Sequence, residues 1–285
     1  MTDLICSYYT TAGVSPVEGG SSSRPFEERV RACAEAGYVG IGIHVRDYRA
    51  LRAAGATDDD LTAVIRDHGM RHVEVEFLLN WFADGDAGDA ARRDEALMYH
   101  MARTFDARVM FLGGDMTPDN PMSFDELIER FTVVAARAAE EGVTLGVEPC
   151  AWTNVGDIDD GLRLIRGSGA DNVGLFLDVW HVYRRGLPYD VIRDLDPDLV
   201  AGVQIGDVGA EIHGTLAEDC LDHRLLPGEG VAQPAEFLVA LDDVGVDVPI
   251  SVEVLSVEQR ARPSDEAADV SFRAARAVLE VAATR

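Results

Sequence analysis

A chain of 285 residues with 47% hydrophobic content can bury a large core, and its length suits one α/β barrel better than two ordinary domains. Its formal net charge of −26 disfavours nucleic acid and anionic membranes as partners, and all 25 basic residues are arginine, which excludes Schiff-base, P-loop and general-base lysines. No stretch reaches the roughly 20 apolar residues that span a bilayer, and Met1–Thr10 has no basic segment followed by an apolar one, so a soluble, cytoplasmic protein is expected.

Apolar runs rich in Val, Ile and Phe alternate with helical patterns along the chain. In order, the spacing predicts a strand at Leu4–Tyr9, a helix at Phe26–Ala36, a strand at Tyr38–His44 and a helix at Asp58–His68. A strand at His72–Leu78, a helix at Asp94–Phe105, a strand at Arg108–Leu112 and a helix at Ser123–Glu141 follow. Next come a strand at Thr144–Glu148, a helix at Asp157–Arg166, a strand at Gly174–Asp178 and a helix at Tyr189–Leu195. The last units are a strand at Ala201–Ile205, a helix at Ala235–Asp242, a strand at Ile250–Leu255 and a closing helix at Asp265–Ala283. Ser123 with Glu126 forms a capping-box pattern, Ser264 precedes an acidic first turn, and Gly37, Gly69 and Gly142 stand where helices need a left-handed stop.

The strands are apolar nearly throughout, as expected when both faces are covered. Eight strand-then-helix units predict a single (β/α)8 barrel over residues 1–285. An open doubly wound sheet is weakened because no G-x-G-x-x-G follows the first strand. Two long loops are predicted, Asn80–Arg93 and Asp207–Gln233; the second holds His213, Asp222, His223, Arg224 and the Pro227–Gly230 turn and is expected to act as a lid. Cys6, Cys33, Cys150 and Cys220 are too widely spaced for a disulfide framework or a cysteine zinc site, so reduced thiols are expected; Cys150, two residues past Glu148, is the one near the chemistry.

In a barrel, the carboxyl ends of strands line the active site. Four polar side chains stand there, each amid apolar neighbours: Glu148, Asp178, Gln204 and Glu253. A carboxylate so placed is costly unless paired or metal-bound, and an all-oxygen donor set suits a hard divalent cation. Pairing with arginines at the barrel mouth is the competing reading. His181, three residues past Asp178, can point into the same cavity and move a proton or bind a substrate oxygen. Arg224 can fork onto a carboxylate or hydroxyls; His223 and His213 are weaker candidates, and Trp152 and Trp180 can form an apolar wall. Glu76 and Asp115 can enter the cavity or cap the next helix.

Several segments resemble the xylose-isomerase-like superfamily of TIM barrels. They are Ala36–Ile41, Gly146–Pro149, Gly174–His181, Val203–Asp207, Arg224–Gly230 and Val252–Glu253. The resemblance implies one divalent ion, commonly manganese, magnesium or cobalt, held by Glu148, Asp178, Gln204 and Glu253, with His181 and Arg224 on the substrate. It implies an isomerase or epimerase of a keto or aldo sugar or related hydroxy-carbonyl compound, with Glu148 or Glu253 removing a proton α to the carbonyl. Gln204, where many members carry histidine, is similar to the hydroxypyruvate isomerase and dehydroshikimate dehydratase branches; the Glu148–Trp152 and Asp222–Arg224 segments also resemble the dehydratase branch, so loss of water from a dehydroshikimate-like or cyclitol substrate is the alternative. A non-catalytic sugar-binding barrel is the third reading, and homo-oligomers are common in the superfamily. The sequence departs at Gly42, where the family often has glutamate, and lacks the further ligands of the endonuclease branch.

Overall fold

The structure is a computed structural model that describes residues 2–116 and 122–285. All eight strands form: β1 (Leu4–Cys6), β2 (Gly40–His44), β3 (His72–Leu78), β4 (Val109–Gly113), β5 (Leu145–Glu148), β6 (Val173–Asp178), β7 (Val200–Ile205) and β8 (Ile250–Val252). Each pairs in parallel with its sequence neighbours, and β8 pairs with β1, so the sheet closes into a barrel without edges. Long helices at Phe26–Ala36, Asp58–Asp67, Gly85–Thr104, Phe124–Glu140, Ile158–Ser168, Pro234–Val244 and Ser264–Ala282 follow the strand order around it.

The Ser123–Glu126 capping box is present in both directions, and Gly37, Gly69 and Gly142 all take positive φ at helix ends. Four expectations need correction. The segment Tyr189–Asp194 is a 3-10 helix. Ser264 is the first helical residue behind Pro263, and its hydroxyl donates to Glu28 Oε1 at 2.8 Å instead of capping. Most of the first predicted loop is helix, which begins at Gly85; the glycines at 85 and 88 lower its intrinsic propensity, but Gly88 allows close approach to the Ala83 carbonyl, and packing overrides propensity. The second predicted loop contains a helix at Leu216–Asp222, opened by a Thr215–Glu218 capping box. Short helices also start at Tyr8, Val45, Val179 and Val257, too brief to register as a 3.6-residue period.

Beneath the site the barrel is plugged by aromatic rings. Phe111 and Phe176 stack with centroids 4.2 Å apart and planes within 10°, and Phe77 meets Phe111 edge-on at 5.5 Å. Gly202 makes room for the Phe176 ring, because a Cβ there would run into it. Gly202→Ala is therefore expected to overpack this layer and cost roughly 1–3 kcal/mol, read as a lower denaturation midpoint in guanidinium with the slope unchanged. Lower in the barrel, Glu74 is fully buried but paired with Arg108 at 3.0 Å and bonded by Ser251, so that charge is internally satisfied.

Candidate active site

The strand ends converge as their register dictates. Asp178 lies beside Gln204 across β6 and β7, and Gln204 lies beside Ser251 across β7 and β8, so Glu253 falls just past the end of β8. Glu148 closes β5, where Pro149 can no longer donate to the ladder. Asp178 Oδ1 accepts the Trp180 N–H at 2.8 Å, capping the short helix Val179–Arg184 and leaving Oδ2 for the cavity. One carboxylate oxygen from each of Glu148, Asp178 and Glu253 lies within 4.8 Å of the others, and all three residues are buried. Gln204 is fully buried, and neither its Oε1 nor its Nε2 has a hydrogen-bond partner.

The competing arginine reading is realised in part. Arg224, buried at 2% exposure, places Nη1 2.5 Å from Asp178 Oδ2 and Nη2 3.2 Å from Glu253 Oε2. Its Nε donates to the Cys220 carbonyl at 3.2 Å, and the guanidinium lies 5.4 Å over the Trp180 ring. One guanidinium reaches two of the three carboxyl groups, and Glu148 has no arginine ion pair among the described residues.

His181 is oriented by its backbone neighbour: Ala151 N–H donates to Nδ1 at 3.3 Å, which leaves the proton on Nε2. That nitrogen stands 3.4 Å from Glu148 Oε1 and 3.9 Å from Asp178 Oδ2. Burial pushes the imidazole down to about 4, so it is neutral near pH 7. Burial and then the charge of Asp178 raise Glu148 to about 8. Burial also raises Glu253 to about 7, against the pull of Arg224. These are acids forced together out of water, as functional sites commonly hold them. Glu148, Cys150 and His181 form a second cluster of possible ligand atoms, in which burial raises the Cys150 thiol well above its ordinary range.

Other candidates separate by position. Trp152 lines the cavity and meets His181 at 5.4 Å, whereas Trp180 is fully buried behind His181 and Arg224 and reaches the site only through them. His223 is exposed, lies tilted against the ring of His213 at 4.6 Å, and is not among the residues that line the cavity. Ser123, not Asp115, caps the helix after β4. Glu76 does enter the cavity: its Oε1 accepts Tyr8 N–H at 3.0 Å, and it fills the space beside Gly42 that a Cβ would occupy. The missing second-strand glutamate is thus matched by one arriving from β3.

Two residues escaped sequence reading. Ser7 Oγ lies 2.9 Å from Glu253 Oε1 and 3.2 Å from Glu76 Oε1, a bridge whose only sequence signal is its place just past β1. Asp207, fully buried, accepts the N–H groups of Val208, Gly228 and Ala232 and so folds the Pro-Gly turn that leads from Arg224. The cavity above these groups has a volume of about 300 Å³, the lower end of ligand-pocket sizes. Phe77, Leu79, Phe111, Met116, Trp152 and Leu255 supply its apolar lining.

The sequence profile described as xylose isomerase-like TIM barrel matches residues 30–276. A 3-dehydroshikimate dehydratase of Pseudomonas aeruginosa is 26% identical over 258 residues, covering 86% of this chain; the chain spans only 38% of that relative's length. Among solved structures, the IOLI protein with a bound zinc atom has a TM-score of 0.80 at 18% identity, covering 100% of this chain and 99% of its own. The probable 3-DHS dehydratase AsbF of Bacillus anthracis has a TM-score of 0.77 at 13% identity, covering 96% and 98%. At such identities the two structures establish a shared fold.

Proposed function

The chain belongs to the xylose isomerase-like TIM barrel family, and from that premise we propose that it is a divalent-metal-dependent lyase that removes water from a small cyclic β-hydroxy ketone. Glu148, Asp178, Gln204 and Glu253 would hold the ion. Their fit rests on three crowded carboxyl groups of which Arg224 pairs only two, and on a buried amide with no partner of its own. Oxygen donors of this kind suit manganese or magnesium, and the IOLI protein, similar in fold, holds a zinc atom. A bound divalent ion supplies Lewis acidity toward a carbonyl oxygen.

The chain's own residues then have separable tasks. Glu148 or Glu253 takes the proton α to the carbonyl; the freed electron pair forms the carbon–carbon double bond as the β-hydroxyl departs. His181, neutral with its proton on Nε2, donates a hydrogen bond to the departing oxygen. Hydroxide plus the proton lifted from carbon leave as one water, so atoms balance without a further reactant. Trp152 and the aromatic wall exclude solvent and hold the hydrocarbon face of the ring.

The apolar lining that shares the cavity with the acidic cluster carries this reading, since a carbocycle presents a hydrocarbon face and an open-chain polyol does not. The dehydratase named among the relatives supports the same reaction type. Manganese-loaded protein given 3-dehydroshikimate in D2O is expected to produce a strongly absorbing conjugated product, one water lighter by mass spectrometry. A second reading, an isomerase or epimerase, is favoured by Glu148 and Glu253 standing on non-adjacent strands of the barrel, where one can remove a proton and the other return it. Solvent deuterium entering a keto sugar with no loss of water would establish that reading and overturn the first.

A further inference from the structure

The cavity is polar in two opposite senses. Its acidic end, described above, is built of acceptors. Near the carboxyl ends of β1 and β2 stand Tyr9, His44 and Arg46, all lining the same cavity. Each carries a donor without a protein acceptor. Arg46 donates Nη1 to the Pro16 carbonyl at 3.2 Å, and among the described residues no carboxylate pairs with it. That is unusual here, where most arginines stand in ion pairs.

His44 Nδ1 accepts the Arg46 backbone N–H at 3.1 Å, which leaves its proton on Nε2. Burial and the neighbouring Arg46 and Arg49 press this imidazole down to about 3, so it remains a neutral donor. No hydrogen bond joins the Tyr9 hydroxyl to a described residue, and the ring lies edge-on to His44 at 5.4 Å. Gly20, at φ +76°, draws these groups together: a Cβ there would sit 2.9 Å from Arg46 Cδ and 3.6 Å from Tyr9 Oη.

We propose that Arg46, with Tyr9 and His44, forms an anchor for a substrate carboxylate, so that the substrate is an anionic ring compound bound by its acid group at one end and by the acidic cluster at the other. The assignment rests on the reading of this cavity as the site of a ring lyase and narrows its substrate class. A guanidinium fork with two neutral donors is the arrangement that matches a planar carboxylate. In a chain with a net charge of −26, an anion needs such a local cation to enter at all. The apolar wall between the two ends would hold the ring.

Calorimetry on the manganese-loaded protein with 3-hydroxybenzoate and 3-hydroxybenzamide tests the anchor without turnover. The acid is expected to bind roughly 10- to 100-fold more tightly than the amide, and Arg46→Gln to erase that preference. Arg46→Lys keeps the charge without the fork and is expected to restore part of it; Tyr9→Phe, which keeps the ring, to lower it several-fold. Unchanged melting temperatures would confirm that these variants fold. In turnover, Arg46→Gln should raise KM for 3-dehydroshikimate far more than it lowers kcat. Equal binding of acid and amide by the parent protein, or a preference that survives Arg46→Gln, would overturn the anchor. An acid preference without any dehydration would sustain the anchor and sink the lyase reading.

Discussion

Glu148→Gln is expected to strip the protein of its divalent ion and to lower turnover by roughly 10²–10⁴-fold. The amide keeps the volume of the side chain, so packing at the end of β5 changes little. What it removes is the ionisable group common to both clusters of possible ligand atoms, whose Oε1 stands 3.4 Å from His181 Nε2. Plasma emission spectrometry on dialysed protein, with the dehydration assay alongside, would measure both effects. Unchanged metal content with unchanged turnover would refute the site.

The same substitution has a signed effect on metal-free protein. Glu148 titrates at about 8 in the fold against an ordinary 4.5, because burial and Asp178 oppose its charge. The folded state then holds a proton that the unfolded chain has released. Stability from this group is complete below the unfolded value and is lost as pH rises through about 8. In the presence of chelator, the parent protein should lose stability across that window at a slope of up to about 1.4 kcal/mol per pH unit for this one group. Glu148→Gln should remove this group's share of the slope, because glutamine does not titrate, and leave the share of Glu253, which is raised to about 7. Denaturation midpoints at several pH values would show it.

The fold was legible because most strands are largely apolar runs and each is followed by helix, the pattern of a sheet covered on both faces. The acidic cluster was legible for the inverse reason: Glu148, Asp178 and Glu253 are charges at the ends of runs that otherwise tolerate none. Periodicity was silent on helices of five to nine residues such as Tyr8–Ala12 and Val45–Ala53, which complete fewer than three turns. It was silent too on side-chain reach. That Glu76 from β3 fills the space beside Gly42, that Ser7 bridges two carboxylates, and that Arg224 turns inward while His223 turns out are consequences of barrel closure. Neighbours in sequence, such as His223 and Arg224, differ only in which side of the chain faces the mouth.

Gln204→Leu is expected to move stability in opposite directions with and without metal. Both amide atoms of Gln204 are buried without partners, which costs the fold the desolvation of each. Leucine has similar volume and no polar atom, so in chelator it should stabilise the protein by about 1–3 kcal/mol. That gain is anomalous for a core position kept polar, unless the polar group serves something other than folding. With manganese added, the parent protein gains stability by mass action as the ion binds the folded state alone. The leucine variant, short of one oxygen, should gain much less, so that the two melting curves cross as metal is titrated in. Gln204→His supplies a nitrogen donor in place of the amide oxygen and should retain the metal-induced shift. A leucine variant with the parent's metal affinity would remove Gln204 from the ligand set, and one with no gain in chelator would mean that the amide is satisfied in solution.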